Sequence, residues 1–190
     1  MKIRNIIRNS INVKELIYSD DELIKTIDYL TNIITNCYLH DGKVLFCGNG
    51  GSAADAQHLA AELSGRFYID RAPLFAEALH VNTSYITAVS NDYSFNEIYS
   101  RLVLAMCRKD DILIGLSTSG NSENIIKAFK TAKDLGVITI AFTGKSGGKL
   151  KEIADYIVNV PSIDTPRIQE SHIMIGHIIC ELVEEKLFKK

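Results

Sequence analysis

The stretch ILIGLSTSGNS, residues 112–122, decides the fold class of this chain. Its first five residues are apolar, which is typical of a strand that is buried on both faces of a sheet. Its last six residues are small and polar, and the apolar spacing over residues 123–135 predicts a helix directly after them. Buried strand, polar loop and helix in this order form the repeating unit of an α/β protein with a parallel sheet.

The same order occurs earlier in the chain. VLFC at residues 44–47 predicts a second buried strand, GNGGS at residues 48–52 a loop, and the alanine-rich segment 53–63 a helix. Further apolar runs predict three more strands, at residues 74–79, 137–142 and 156–160. We therefore expect an α/β fold with a five-stranded parallel sheet flanked by helices.

Helices are also predicted at both ends of the chain. Residues 2–17 and 21–38 carry apolar residues at spacings of three and four, and Asp20 or Asp21 can cap the second helix. A long final helix is predicted from Pro166 to Phe188, since proline fits the first turn of a helix.

Length and composition point to one globular domain. The chain has 190 residues, of which 46% are hydrophobic and 23% charged, ordinary values for a folded domain. Since no linker or low-complexity tract interrupts it, we expect a single domain over residues 1–190, with residues 1–40 as an N-terminal helical extension. The formal net charge of −2 argues against a general nucleic-acid binder, which would show a basic face.

The sequence also predicts a cytoplasmic protein with no membrane partner. The first twenty residues mix charged and apolar groups and contain no continuous apolar stretch of the kind a secretory signal has. No run approaches the roughly 18 apolar residues that a membrane span needs. Four cysteines without a C-x-x-C pair indicate reduced, buried thiols: Cys37, Cys47, Cys107 and Cys180.

Two polar loops are candidate ligand sites, because ligands of open parallel sheets bind beyond the carboxyl ends of the strands. Each loop opens a helix, whose free N–H groups and partial positive charge suit a phosphate. Gly120 would let the backbone approach a ligand closely. The alternative is a turn whose polar groups only cap the helix. Four hydroxyls of the second loop could bind phosphate: Ser117, Thr118, Ser119 and Ser122.

The first loop raises a different hypothesis, a dinucleotide-binding oxidoreductase, because GNGGSA fits the pattern G-x-G-x-x-A. Such a site needs an acidic residue near the end of the next strand. That strand candidate ends in Ala78, Leu79 and His80, while Asp70 precedes it. The motif alone is therefore weak evidence for this class of enzyme.

A metal site is a further possibility. His58 and Glu62 are four residues apart, so they share one helix face and could bind zinc together, although a surface pair is the alternative. On the last helix, Gln169 and His172 could converge, whereas Gln169 and His177 are about 12 Å apart along an ideal helix. Spacing therefore leaves the choice between His172 and His177 open. Two other histidines, His40 and His80, show no partner pattern and are interpreted as ordinary.

Five segments in combination resemble the bacterial phosphoheptose isomerases of the SIS domain superfamily. They occur in family order, and the resemblance extends from about Asp41 to Leu187. It implies an SIS-type, flavodoxin-like or Rossmann-like three-layer fold that assembles as a homotetramer with active sites shared between subunits. The segments are CGNGGSAADAQHLAAELSGR, SNDYSFNEIYSR, LIGLSTSGNSENI, FTGKSGG and TPRIQESHIMIGH.

The resemblance also implies roles for particular residues. It assigns one zinc ion per subunit and makes His172 a structural neighbour of the site, while Arg66 would steer the anionic substrate. The implied zinc ligands are His58, Glu62, Gln169 and His177, of which Glu62 and Gln169 also contact substrate. The implied phosphate contacts are Ser117, Thr118, Ser119 and Ser122, and the sugar-binding positions are Asn49, Gly50, Gly51, Ser52, Asn91 and Asp92.

The implied reaction converts D-sedoheptulose 7-phosphate to D-glycero-D-manno-heptose 7-phosphate through an enediol. Glu62 would be the base and His177 its acid–base partner. This is the first step of nucleotide-activated heptose synthesis for lipopolysaccharide, capsule or surface-layer glycans.

Two alternatives belong to other functional classes. One is a non-catalytic SIS tetramer that binds the replication initiator DnaA; such relatives lack equivalents of Glu62 and His177, and both residues are present here. The other is the sugar-phosphate sensing domain of a regulator. Regulators of that kind carry a basic helix-turn-helix, for which this chain has no room.

Overall fold

The structure is a computed structural model and describes residues 1–189. Its five strands form one parallel sheet in the order β2-β1-β3-β4-β5, which confirms the predicted α/β class and strand number. The predicted strand at 74–79 is only three residues long and lies at the sheet edge. The strands are β1 Val44–Gly48, β2 Ala76–Ala78, β3 Ile112–Ser117, β4 Ile138–Thr143 and β5 Tyr156–Asn159.

Helices cover both faces of the sheet. The helices predicted from spacing are present, and Asp20 caps α2 by accepting a hydrogen bond from the Leu23 N–H at 3.0 Å. Two helices between β2 and β3 were not predicted from the sequence. The α-helices are α1 Lys2–Tyr18, α2 Asp21–Leu39, α3 Gly51–Ser64, α4 Thr83–Asp92, α5 Ile98–Met106, α6 Glu123–Asp134, α7 Leu150–Ile153 and α8 Thr165–Phe188. A short 3-10 helix, Phe95–Glu97, joins α4 to α5.

Alternating residues of the strands divide the apolar core into two layers. Val44 and Phe46 of β1 pack into the layer formed with α1, α2, α3 and α8. Leu45 and Cys47 point the other way, into the layer formed with α4, α5, α6 and α7. Since neighbouring side chains of a strand point to opposite faces, a fully apolar strand requires both layers, which gives the three-layer architecture.

Helix α8 determines where two candidate site residues lie, because it packs beside α3 in the first layer. Gly176 permits this close packing: a Cβ atom at that position would lie 2.5 Å from the side chain of Leu59 on α3. The next residue along α8, His177, is thereby brought next to His58 on α3.

All four cysteines are buried as free thiols, as predicted. Within residues 1–189, no helix has both the length and the apolar character required to cross a membrane.

Candidate active site

The loops that follow β1 and β3 meet at the carboxyl edge of the sheet. Asn49, directly after β1, and Asn124, in the first turn of α6, exchange two amide hydrogen bonds of 2.9 Å each. Asn124 is buried, and the hydroxyl of Tyr99 donates to the carbonyl of Gly48. These contacts fix the two candidate ligand loops relative to each other. Asn124 could not be identified from the sequence, because its role depends on a contact across 75 residues.

The STSGNS loop brings the four predicted phosphate-binding residues together. The hydroxyls of Ser117 and Ser122 lie 3.0 Å apart, and the Ser119 hydroxyl accepts a hydrogen bond from the Asn121 N–H at 3.1 Å. Ser122 stands at the N-cap of α6, but its side chain accepts no capping hydrogen bond. The hydroxyls therefore organise the loop rather than cap the helix, and the Ser119 side chain is exposed.

The loop after β4 packs directly against the STSGNS loop. Gly120 has φ +66°, and a Cβ atom there would overlap the carbonyl oxygen of Gly147. The Lys149 N–H donates to the Asn121 side chain, and the Leu150 N–H donates to the Gly120 carbonyl, both at 3.0 Å. The close approach that the structure shows for Gly120 is therefore to a neighbouring loop, whereas the sequence suggested an approach to ligand.

Replacing Gly120 by alanine should destabilise the protein more than replacing Gly50 by alanine. Both glycines have positive φ, at +66° and +57°, so alanine is strained at each position. At Gly50 nothing lies within 4 Å of the added Cβ, whereas at Gly120 it meets backbone. Urea unfolding of the two variants measures the difference, and equal losses would show that the loop contact is unimportant.

The GNGGS loop forms the start of α3 and contacts α8. The Gln169 side chain donates to the Ser52 hydroxyl at 3.4 Å, and a Cβ atom at Gly51 would lie 2.8 Å from the same amide group. Ser52 is buried beneath this contact. Two of the predicted sugar-binding positions, Gly51 and Ser52, thus lie with Gln169 at one end of the α3–α8 pair.

A cavity of about 260 Å³ opens beside Asn49 and Gly50 and extends below α4. His80 lines it, and its buried Nδ1 atom has no hydrogen-bond partner among residues 1–189. Burial lowers the pKa of His80 below 6.5, so the ring is mostly neutral at pH 7. No motif in the sequence links His80 to the loop, which is why the sequence alone indicates an ordinary histidine.

Three potential metal ligands converge further along the same helix pair: His58, Glu62 and His177. The Nε2 atom of His58 lies 3.0 Å from the Nε2 atom of His177 and 3.0 Å from a carboxylate oxygen of Glu62. The structure thus brings together His177, and not His172, with the pair on α3. Spacing along α8 could not make this choice.

The chemistry of this group suits a divalent metal ion. Ligand atoms bonded at about 2.0–2.1 Å in a tetrahedral site lie about 3.3 Å apart, close to the separations seen here. Burial, followed by the electrostatic effect of His58, lowers the pKa of His177 below 6.5, while Glu62 acts in the opposite direction. A mostly neutral imidazole is the form that binds metal.

Comparison with known proteins places the chain in a family. A model of the SIS domain matches residues 12–144. The phosphoheptose isomerase of Clostridium acetobutylicum is 53% identical over 182 residues, which cover 96% of this chain and 93% of that relative. The chain belongs to the phosphoheptose isomerase family. A solved phosphoheptose isomerase structure from Francisella tularensis has a TM-score of 0.93 at 38% identity, and one from Neisseria gonorrhoeae 0.91 at 40%, each covering 97% of both chains.

Membership in the phosphoheptose isomerase family leaves the dinucleotide-binding alternative without support. The acidic residue that would contact a ribose is expected at the end of β2. That strand is followed by Leu79 and His80.

Other predicted residues lie outside the three-residue group. His172 is fully buried, and its Nε2 atom is 3.1 Å from the carbonyl of Thr143, which fits a structural role. Asn91 and Asp92 are exposed at the end of α4, where their side chains share a hydrogen bond of 2.9 Å. Arg66 is exposed just beyond α3. The Gln169 amide contacts Ser52 and is not part of the three-residue group, so its role as a ligand stays a prediction.

Proposed function

We propose that this protein is an aldose–ketose isomerase that converts D-sedoheptulose 7-phosphate to D-glycero-D-manno-heptose 7-phosphate. The observation that carries the proposal is the convergence of Glu62 and His177 from two different helices. Two polar loops able to bind a sugar phosphate lie at the same edge of the sheet. The relatives named phosphoheptose isomerases match this chain over nearly its full length.

Glu62 and His177 account for the proton transfers that the reaction needs. The Glu62 carboxylate takes a proton from C1 of the ketose, and the electron pair that is released forms the enediolate. The same carboxyl group returns a proton to C2, while His177 moves a proton between the oxygens on C1 and C2. One carbonyl and one hydroxyl thereby exchange places, and the atoms and charges balance.

We propose that one zinc ion per subunit is held by His58, Glu62, Gln169 and His177. A bound zinc ion would supply Lewis-acid polarisation of the carbonyl and hydroxyl oxygens of the substrate. Since ligation lowers the basicity of a carboxylate, Glu62 can bind metal and act as base only in turn. Gln169 would contribute its amide oxygen, while its amide nitrogen is the atom that contacts Ser52.

The phosphate group is assigned to the STSGNS loop, at Ser117, Thr118, Ser119 and Ser122. The sugar is assigned to Asn49, Gly50, Gly51, Ser52, Asn91 and Asp92, with Glu62 and Gln169 contacting its reacting end. The exposed Ser119 side chain and the N-terminus of α6 on the same loop support the phosphate assignment. Asn91 and Asp92 lie apart from the loop contacts described above, and they stay in the proposal by resemblance.

Replacing Ser119 by alanine should raise KM about tenfold or more and leave kcat within a few-fold of its wild-type value. A hydrogen bond to a charged group contributes about 1.5–3 kcal/mol, and 1.4 kcal/mol corresponds to tenfold in affinity. Steady-state kinetics with sedoheptulose 7-phosphate measure this change. Free sedoheptulose should be a very poor substrate, and equal efficiency with free sugar and phosphate would contradict the assignment.

We also propose a cytoplasmic homotetramer with active sites at subunit interfaces. Helix α1 carries large apolar side chains with high exposure, as expected of a face that another subunit covers. The exposed residues of α1 are Ile3 at 75%, Ile7 at 54%, Leu16 at 53% and Tyr18 at 84%. The buried free thiols agree with a reducing compartment. The product would enter nucleotide-activated heptose synthesis for lipopolysaccharide, capsule or a surface layer.

The experiment that tests the proposed function is incubation of the purified protein with sedoheptulose 7-phosphate, followed by NMR of the products. We expect the aldose phosphate to form, and a chelator to abolish its formation until zinc is restored. An inactive protein that instead binds DnaA would support the alternative, which the phosphoheptose isomerase relatives do not favour.

A further inference from the structure

A buried ion pair connects α8 to the end of α3, the two helices that carry His177 and Glu62. Arg71, in the segment after α3, donates from Nε to the Glu184 carboxylate of α8 at 3.0 Å. The two side chains are only 1% and 2% exposed. No sequence motif drew attention to them, and the proposed mechanism does not use them.

The Arg71 guanidinium holds the end of helix α3. It donates to the carbonyls of Glu62 and Leu63 at 2.9 Å each, and to those of Gly65 and Ala72. Carbonyls in the last turn of a helix lack partners within the helix, and a cation there also interacts favourably with the helix dipole. The residue whose backbone is held in this way is the proposed base.

The Glu184 carboxylate holds the segment that follows α3. It accepts hydrogen bonds from three successive backbone N–H groups, those of Phe67, Tyr68 and Ile69, at 2.8–3.0 Å. The Phe67 ring in turn lies against the imidazole of His177, with the ring centroids 5.8 Å apart. Burial acts to raise the pKa of Glu184, but these donors outweigh it and keep the pKa below 4.5, so the carboxylate is charged at neutral pH.

We propose that Arg71 and Glu184 are positioning residues that set the distance between Glu62 and His177. The pair connects the end of α3 to α8, with one proposed reacting residue on each helix. Arg71 fixes the backbone of Glu62, and Glu184, through Phe67, fixes the ring of His177. The inference rests on the proposed function only for what Glu62 and His177 do, since the connection itself is a property of the fold.

The chain offers a matched control at the amino ends of the strands, on the side of the sheet opposite the candidate site. Asp111 is also a buried carboxylate; it pairs with Lys43 Nζ at 2.6 Å and accepts backbone N–H groups of Lys43 and Arg108. Replacing it by asparagine disturbs a similar network, but one that lies before β1 and β3 and therefore far from the site. Asp111→Asn should lower stability without changing zinc affinity or kcat.

We expect Glu184→Gln and Arg71→Met to weaken zinc binding by the metal-free protein about 10–100-fold, the usual effect of removing a group that orients metal ligands. We expect kcat to fall about tenfold or more, with KM for sedoheptulose 7-phosphate changed less than threefold. Arg71→Lys keeps the charge and should recover part of both losses. Calorimetric titration with zinc alone, steady-state kinetics and thermal unfolding provide the measurements.

Wild-type zinc affinity and kcat in Glu184→Gln, with a loss of stability like that of Asp111→Asn, would overturn the proposal and leave a structural ion pair. If both pair variants fail to fold, Phe67→Leu tests the same connection without changing Arg71 or Glu184. A lowered kcat in Phe67→Leu supports the proposal. Wild-type kcat and zinc affinity in both Phe67→Leu and Arg71→Lys overturn it. Zinc titration needs no turnover, so failure of the proposed reaction would not be confused with failure of this inference.

Discussion

Replacing Glu62 by glutamine is expected to lower kcat at least about 100-fold, the scale on which general-base catalysis contributes. Glutamine keeps the size of the side chain and the packing of α3 but removes the basic oxygen. The carboxylate is a quarter exposed and lies 3.0 Å from His58, so neither burial nor a large network should obscure the effect. Steady-state turnover of sedoheptulose 7-phosphate is the measurement.

Two controls make the Glu62 result interpretable. Bound zinc must be measured in the variant, because loss of a ligand and loss of a base both lower kcat. Glu22→Gln, on the exposed start of α2, should have wild-type kinetics. Near-normal turnover in a folded, metal-loaded Glu62→Gln protein would remove Glu62 from the mechanism.

Replacing His177 by alanine is expected to abolish both zinc binding and activity. The structure places its Nε2 atom 3.0 Å from that of His58, so truncation removes one of the three converging ligands. Metal analysis of the purified variant and an activity assay with added zinc measure the two losses.

His172 provides the matched control for this variant, because it lies on the same helix five residues earlier. It is buried, its pKa is lowered by burial to about 4, and it contacts the carbonyl of Thr143. His172→Gln retains a hydrogen-bond donor and should keep zinc and activity at some loss of stability. Loss of zinc from His172→Gln together with its retention in His177→Ala would reverse the assignment.

Most of the fold could be predicted from the sequence because the strands are short, apolar and separated by polar loops. Strands such as β1 and β3 are buried over their whole length, and this composition identifies them without a partner. Helices α4 and α5 were missed, since α4 buries only Val89 and shows little apolar periodicity. Strand β2 is defined by its pairing with β1 more than by its own three residues.

In the candidate site too, residues that are close in the sequence could be predicted, whereas residues brought together by helix packing could not. His58 and Glu62 are neighbours on one helix, so spacing alone suggested them. The choice of His177 came from resemblance, because it depends on how α8 packs on α3 at Gly176 and Leu59. Asn124 and the Arg71–Glu184 pair could not be predicted, since their partners are 75 and 113 residues away in the sequence.

The central claim is proton transfer between C1 and C2 of sedoheptulose 7-phosphate by side chains of this protein. The most direct test is to run the reaction in D₂O to equilibrium and examine both sugar phosphates by NMR. Because an enediol mechanism exposes the transferred proton to exchange, the account predicts an aldose phosphate that carries deuterium at C2. Formation of the aldose with no deuterium at C2 after repeated interconversion, or no aldose at all from the zinc-loaded protein, would contradict it.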